Sequence, residues 1–200
     1  MKNLKKIKGD ASFRKFFRKK KDNFNTIIVF AKKEKYKNLL IYDAINKIMN
    51  KNSILAPALY SENYKKNYIE IQDFGNKTIY KILKKSKKKF FYFKKIIDIL
   101  KNIQSIKDRT IITFKNKRYK IPQYDSKIII KEASLFCDWY LKKNLSTNNR
   151  VKFTKKFKNV LKELITKLRS KNNVFVHRDF HVSNLMLIEK RIGIIDSQDA

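Results

Sequence analysis

The sequence predicts an α+β fold with two lobes: a small β-rich lobe over residues 1–75 and a mainly helical lobe over residues 76–200. Three observations support this. The first lobe combines β-branched and aromatic runs with one amphipathic helix. The second lobe contains three long amphipathic segments. Near the end of the sequence, short apolar runs alternate with polar residues, a pattern typical of strands joined by a polar loop.

In the first lobe, a turn of small residues at 9–12 precedes a strand that begins at Phe13. The β-branched run at 26–31 predicts the next strand, and residues 35–50 carry apolar side chains at helical spacing. Residues 68–75 alternate and end at Gly75, so they predict a further strand. The composition changes after this glycine, and we place the lobe boundary near residues 73–78.

In the second lobe, residues 89–106, 126–143 and 151–171 each have an apolar stripe opposite a lysine-rich face, which predicts helices that face a core. Residues 107–125 predict a loop or short hairpin that Pro122 ends. The single cysteine, Cys137, excludes an internal disulfide and is expected to be a small buried apolar residue.

The net charge of +33 comes mainly from lysine that is spread along the whole chain. Only 8 of the 50 basic residues are arginine, the side chain that most often reads nucleic-acid bases. We therefore expect a solvated lysine-rich surface without specific nucleic-acid binding, although the run at 84–89 suits non-specific contact with polyanions. The sequence has no apolar run of membrane-spanning length and no secretory signal, so we expect a cytoplasmic protein that does not bind membranes.

The residues around 177–196 predict a site for chemistry. Short strands are expected at 174–176, 185–188 and 192–195, with the loop 177–184 after the first strand and a tight hairpin between the other two. This arrangement brings Asp179, Asn184 and Asp196 together. Phosphoryl transfer from a nucleotide needs such a set, and the pattern H-R-D-x-x-x-x-N matches the kinase catalytic loop.

In this interpretation, Asp179 accepts the proton of the attacking hydroxyl, while Asn184 and Asp196 hold Mg²⁺ on the phosphates. A simpler alternative is that Asp179 and Asn184 only form turns by bonding to their own backbone. A second alternative is zinc binding by His177 and His181. The metalloprotease pattern needs Glu after the first histidine, and Arg178 stands there instead.

Four blocks, at residues 9–18, 70–75, 124–141 and 177–200, resemble the aminoglycoside phosphotransferase-like kinases. Within that family, the chain is most similar to the N-acetylmuramate/N-acetylglucosamine anomeric kinases of bacterial cell-wall recycling. The third block is specific to this subgroup and does not follow from general kinase chemistry. Ser197 differs from the Phe that the family has after the metal-binding Asp.

The resemblance implies a protein-kinase-like fold with ATP and Mg²⁺ in the cleft, Asp179 as the catalytic base, and Asn184 and Asp196 as metal ligands. The turn at 9–12 is expected to cover the phosphates, Arg14 or Arg18 to reach them, and residues 70–75 to form the hinge beside adenine. The implied nucleotide-binding residues are Gly9, Asp10, Ala11, Ser12, Arg14, Gln72 and Asp73.

The implied acceptor is the anomeric hydroxyl of an amino sugar, which would yield a sugar 1-phosphate from a monomeric enzyme. The family continues with a helical, domain-scale stretch beyond the position of Ala200, so the helical lobe is expected to be incomplete. Two alternatives remain open. One is a kinase-like chain that binds nucleotide without turnover, and the other is a basic nucleic-acid-binding protein supported only by charge.

Overall fold

The computed structural model describes residues 4–7, 14–31, 35–113, 115–167 and 174–197. Contacts between Cα atoms divide the chain into two compact units. The first unit comprises Met1–Ile121 and Phe175–Ala200, and the second is Pro122–Val174. The predicted lobe boundary at residue 75 lies inside the first unit and stays a prediction.

A five-stranded antiparallel sheet with the order β1-β2-β3-β5-β4 forms the N-terminal part of the first unit. The strands predicted near 13, 26–31 and 68–75 are present as β2, β3 and β5. Strands β1 and β4 were not predicted because β1 is short and lysine-rich and β4 has little apolar alternation. The five strands are β1 (Leu4–Ile7), β2 (Lys15–Lys20), β3 (Asn25–Phe30), β4 (Leu59–Asn63) and β5 (Tyr68–Gln72).

Helix α1 (Lys35–Lys51) packs on one face of this sheet, as its apolar spacing predicts. A buried cluster joins the helix to the two central strands, because alternate residues of β3 and β5 point to the same face. Its members are Ile27, Val29, Ala31, Leu39, Leu40, Tyr42, Tyr64, Ile69 and Ile71.

A second apolar cluster joins the other side of α1 to the elements that follow the sheet. These elements are α2 (Ile79–Lys85), α3 (Lys89–Ser105), β6 (Thr110–Ile112) paired with β7 (Arg118–Lys120), and β8 (Leu185–Ile188) paired with β9 (Arg191–Ile194). Helix α2 was not predicted. It begins at a side-chain cap, where Thr78 Oγ1 accepts a hydrogen bond of 3.2 Å from the backbone N–H of Lys81.

Gly193 of β9 lies directly against the segment that follows β5. A Cβ atom at this position would lie 2.6 Å from the Phe74 ring, so only glycine lets the ring approach so closely. This contact places the end of the sheet beside the β8–β9 hairpin, where the predicted site residues lie.

The second unit contains α4 (Ser126–Leu135), a π-helix (Phe136–Leu141), a short helix α5 (Lys142–Asn144) and α6 (Thr147–Lys167). The helix predicted over 126–143 is present as α4, the π-helix and α5. The wider turns of the π-helix were not predicted. Cys137 is buried, as predicted.

The prediction that the apolar stripes of the long helices face a core is only partly correct. On α3, Ile96 is buried whereas Phe90 is 83% exposed, and on the π-helix Trp139 is 70% exposed. In the second unit, Phe136 stacks on Tyr140 with ring centroids 5.3 Å apart and contacts Phe157. Helical periodicity identifies the apolar face but does not show what covers it. Among the described residues, no helix is long and apolar enough to cross a membrane.

Glu70 is a buried carboxylate on the sheet face opposite α1. It accepts hydrogen bonds from Thr26 Oγ1 at 2.7 Å and from Lys19 at 3.3 Å, and Lys21 Nζ lies 2.6 Å from its Oε1. Burial acts to raise the pKa of Glu70, but the bonds from Lys21, Thr26 and Lys19 together outweigh it and lower the pKa from 4.5 to about 2.

We predict that Glu70→Gln destabilises the fold at pH 7 by about 1.5–3 kcal/mol, the range for hydrogen bonds to a charged group. Because the folded-state pKa lies below the unfolded one, Glu70 stabilises the fold fully above about pH 4.5, and this contribution falls as the pH approaches 2. Urea unfolding at pH 7, 4.5 and 3 measures the difference. The control is Glu163→Gln, which alters an exposed helical pair. A difference that does not change with pH would contradict the prediction.

Candidate active site

The loop that contains Asp179 is closed by hydrogen bonds within itself. The side-chain amide of Asn184 donates to Asp179 Oδ2 at 2.8 Å and to the Asp179 carbonyl at 3.1 Å. The Asn184 backbone N–H donates to the His181 carbonyl at 2.9 Å, and that of Asp179 donates to the His177 carbonyl at 2.8 Å. Arg178 adopts the left-handed conformation with φ 62°, which turns the chain sharply before Asp179. The structure therefore brings Asp179 and Asn184 into direct contact.

The predicted strand at 174–176 is not formed, because these residues pair with no other strand in the described part of the chain. Packing holds the start of the loop instead. Phe175 and His177 are buried, and the His177 ring meets the Phe180 ring edge to face with centroids 6.2 Å apart. An apolar run of three residues does not distinguish a strand from a packed loop.

One backbone hydrogen bond joins the Asp179 loop to the segment that carries Asp196. The N–H of Ile195 donates to the Asn184 carbonyl at 2.9 Å, so Asp196 follows immediately after a residue bonded to the end of the loop. Segments after β5 support the same region. The Tyr80 N–H donates to the Val182 carbonyl at 3.0 Å, and the Leu187 N–H donates to the Lys77 carbonyl at 2.8 Å.

Asp196 lies two residues after the end of β9, in a backbone conformation that is uncommon for a residue with a side chain. Its φ is 64°, and its Oδ1 atom is buried. The charge of Asp196 also acts on Tyr42 of α1. Burial first, and then the Asp196 carboxylate, raise the pKa of the Tyr42 hydroxyl well above its usual value.

The oxygen atoms of Asn184 and Asp196 are of the type that a hard cation such as Mg²⁺ prefers. The hydrogen bonds of the Asn184 side chain use its nitrogen, so its oxygen is the atom suited to a metal. Within the described residues, no three His, Cys, Asp or Glu side chains are grouped to hold a metal ion. Mg²⁺ needs no such group, because it is usually bound by one or two carboxylates together with substrate phosphates.

The two histidines of the loop have different environments, and they do not form a zinc site with other residues of the described chain. His177 is buried, whereas the His181 side chain is 51% exposed. His181 Nε2 lies 3.3 Å from Asp179 Oδ1 and 3.2 Å from Asn184 Nδ2. The contact of His181 with Asp179 and Asn184 was not predicted from the sequence.

The predicted nucleotide-binding residues are described only in part. Gly9, Asp10, Ala11 and Ser12 lie outside the described residues. The Nε atom of Arg14 is buried, and its charge acts on Tyr42, which places the guanidinium near the Asp196 side of α1. Gln72 ends β5, where its N–H donates to the Ala58 carbonyl at 2.9 Å.

The Arg18 side chain is held at the end of β5. Its guanidinium bonds both oxygens of the Asp73 carboxylate and donates to Gly75 O at 2.9 Å and to Asn76 Oδ1 at 2.7 Å. Asp73 Oδ1 also accepts from the Gly75 N–H at 2.7 Å, and Gly75 has φ 79°, a conformation that glycine adopts without strain. Arg18 thus fixes the segment after β5, and the Asp73 side chain is used for this contact.

A cleft of about 570 Å³ lies beside this segment. Phe24 and Tyr60 meet edge to face with ring centroids 6.1 Å apart, and they line it together with Gln72 and Asp73. Sequence reasoning missed the two aromatic residues because they belong to a turn and an edge strand with no local motif.

A family comparison agrees with this geometry. The model of the phosphotransferase enzyme family matches residues 3–200. The chain belongs to the phosphotransferase enzyme family. The family resemblance predicted from the sequence blocks is confirmed.

Two curated relatives of this phosphotransferase-family chain are named N-acetylmuramate/N-acetylglucosamine kinase. The relative from Neisseria meningitidis is 22% identical over 192 residues, which cover 96% of this chain and 55% of the relative. The relative from Pseudomonas aeruginosa is 24% identical, with coverage of 96% and 54%. The chain thus spans about half the length of the curated relatives it matches.

Solved structures confirm the predicted α+β, protein-kinase-like fold. A thermostable mutant of aminoglycoside phosphotransferase APH(4)-Ia superimposes with a TM-score of 0.63 at 10% identity, covering 98% of this chain and 67% of that one. An ethanolamine kinase from Plasmodium vivax also gives 0.63, at 16% identity, with coverage of 98% and 55%.

We predict that Arg18→Lys lowers the free energy of unfolding by about 1.5–3 kcal/mol, because a lysine cannot reproduce the two-pronged contact with Asp73. Hydrogen exchange should also become faster at the amides of residues 73–77. Urea unfolding and exchange mass spectrometry measure these effects. Arg191→Lys, at an exposed position of β9, is the control. Equal stability and exchange in the two variants would refute a role for Arg18 in fixing this segment.

Proposed function

We propose that this chain carries the phosphoryl-transfer centre of an ATP- and Mg²⁺-dependent phosphotransferase that acts on a hydroxyl group of a small molecule. The contact between Asn184 and Asp179 carries the proposal, since it sets a carboxylate and an amide side by side in a kinase-type loop. The bond between Ile195 and Asn184 supports the inclusion of Asp196 in the same centre.

Asp179 is the proposed catalytic base. Its side chain is 48% exposed, so a substrate hydroxyl has access to the carboxylate. The hydrogen bond that Asn184 donates holds the Asp179 carboxylate in one orientation. The positioning of the reacting groups supplies much of the rate enhancement in phosphoryl transfer.

Asn184 and Asp196 would hold Mg²⁺. When bound, this ion neutralises the negative charge that develops on the phosphate oxygens. The chain contributes the fixed orientation of its own ligands, through the hydrogen bonds of Asn184 and the left-handed turn at Asp196.

ATP would be bound by the residues implied from the sequence: the turn at 9–12, Arg14, and the backbone of Gln72 and Asp73. The engagement of the Asp73 side chain with Arg18 is compatible with this role, because only the backbone of residue 73 is proposed to contact adenine. The burial of Arg14 and its influence on Tyr42 support a place for this cation near Asp196.

The acceptor we propose is the anomeric hydroxyl of N-acetylmuramate or N-acetylglucosamine, and the product is the sugar 1-phosphate. The names of the Neisseria and Pseudomonas relatives support this choice. The centre built from Asp179, Asn184 and Asp196 suits alcohols in general and does not by itself select the sugar. We propose that the enzyme is a monomer and acts in the cytoplasm.

We predict that Asp179→Asn lowers sugar-dependent ATP consumption by about 10²–10⁴-fold, the usual contribution of a general base, while nucleotide binding is retained. Turnover is measured with Mg²⁺ and matched concentrations of N-acetylmuramate and N-acetylglucosamine, and binding with a fluorescent ATP analogue. Asp98→Asn, at an exposed site on α3, is the matched control.

Turnover of Asp179→Asn equal to that of Asp98→Asn would overturn the assignment of the base. Mg²⁺-dependent ATP binding without turnover in the unmodified chain would instead favour the alternative of a nucleotide-binding chain that does not phosphorylate.

We predict that Asp196→Ala removes most of the effect of Mg²⁺ on nucleotide affinity, because a carboxylate ligand of the ion is lost. The affinity for the ATP analogue is measured with Mg²⁺ and with a chelator. Asp22→Ala, at an exposed position of the turn between β2 and β3, should keep the full effect of Mg²⁺. An unchanged Mg²⁺ effect in Asp196→Ala would exclude Asp196 as a ligand.

A further inference from the structure

Helix α1 contacts the segment at Asp196 through buried polar side chains. Tyr42 and Asn46 stand one turn apart on the helix, and each is 2% exposed, whereas Ser197 is 0% exposed. A buried polar group lowers the stability of the fold unless it is hydrogen-bonded. Three such side chains in one buried site therefore need hydrogen-bonding partners there.

Asn46 is the centre of this group. Its Oδ1 accepts a hydrogen bond from Ser197 Oγ, and its Nδ2 donates to the Pro57 carbonyl at 3.1 Å. The Asn46 side chain also lies beside the Tyr42 hydroxyl. One amide therefore ties the segment before β4 and the residue after Asp196 to the same turn of α1.

Tyr42 reaches Asp196 itself. Its hydroxyl lies beside the Asp196 backbone and within the field of the Asp196 carboxylate and of Arg14. Tyr42 thus adjoins the backbone of Asp196, and Asn46 holds the side chain of Ser197, the next residue.

The left-handed conformation of Asp196 explains why such support is needed. A residue with a side chain at φ 64° is in a sparsely populated region, and it stays there when surrounding contacts favour that state over the alternatives. On the preceding side, the Ile194 N–H donates to the Leu55 carbonyl at 2.8 Å. On the following side, Ser197 is held by Asn46.

We propose that Tyr42, Asn46 and Ser197 are positioning residues that orient the Asp196 carboxylate for its ligand. This inference rests on the proposed role of Asp196 in binding Mg²⁺. A polar residue at 197 differs from the Phe that the sequence resemblance leads us to expect, and Asn46 supplies the polar partner for it on α1.

The test uses Mn²⁺ as a spectroscopic substitute for Mg²⁺ and measures its binding to the full chain with an ATP analogue by electron paramagnetic resonance. Tyr42→Phe and Ser197→Ala should each weaken Mn²⁺ binding about tenfold, the lower end of the range for residues that support metal ligands. Because the two act on one segment, the double variant should lose less than the product of the single losses. Ser197→Thr keeps the hydroxyl and should bind Mn²⁺ within about threefold of the unmodified chain.

Tyr64→Phe is the matched control, since it removes a tyrosine hydroxyl in the same buried cluster without touching the Asp196 segment. It should lower the melting temperature but leave Mn²⁺ binding unchanged. All measurements are made at a temperature where circular dichroism shows each variant to be folded. Loss of Mn²⁺ affinity in Asp196→Ala, with normal affinity in Tyr42→Phe and Ser197→Ala, would overturn the positioning role alone. Normal affinity in Asp196→Ala would instead overturn the proposed function on which that role depends.

Discussion

The hydrogen bond from the Ile195 N–H to the Asn184 carbonyl is the contact on which the candidate active site depends. It joins the end of a loop to the segment that follows a strand, and it does so through backbone atoms that only a proline at position 195 would remove. Asp179 is then held to Asn184 by a side-chain bond, and Asp196 follows Ile195. One side-chain hydrogen bond therefore joins Asp179 to Asn184, and one backbone hydrogen bond joins Asn184 to the residue before Asp196. These bonds hold the three site residues in fixed relative positions.

Helix α1 connects this centre to the sheet. One of its faces packs on β3 and β5, and another contributes to the cluster that contains β8 and β9. Between these apolar contacts, Tyr42 and Asn46 reach the Asp196 segment. At the end of β5, Arg18 fixes the following segment through Asp73. Both contacts, Asn46 with Ser197 and Arg18 with Asp73, are polar pairs that are buried or half-buried. Hydrogen bonds of this kind orient a side chain more strictly than apolar packing does.

Periodicity predicted β2, β3, β5, α1, α3 and α6 within a few residues, because each has an apolar face of the right repeat. It did not predict β4 or α2, whose patterns are short, or the π-helix at 136–141, whose hydrogen-bond pattern leaves no clear trace in composition. The strand expected at 174–176 is absent, since three apolar residues suit a packed loop equally well. The exposure of Phe90 and Trp139 shows that periodicity does not reveal what covers a face.

The sequence by itself determined the family and the proximity of Asp179 and Asn184. The two residues are five positions apart in one tight loop, so their side chains lie close together. Only the tertiary structure decided how Asp196 is held. Asn46 and Ser197 are 151 positions apart, and their hydrogen bond exists because α1 and the end of β9 pack in the same unit. A contact of this kind depends on the fold as a whole and has no local periodicity or spacing from which it could be inferred.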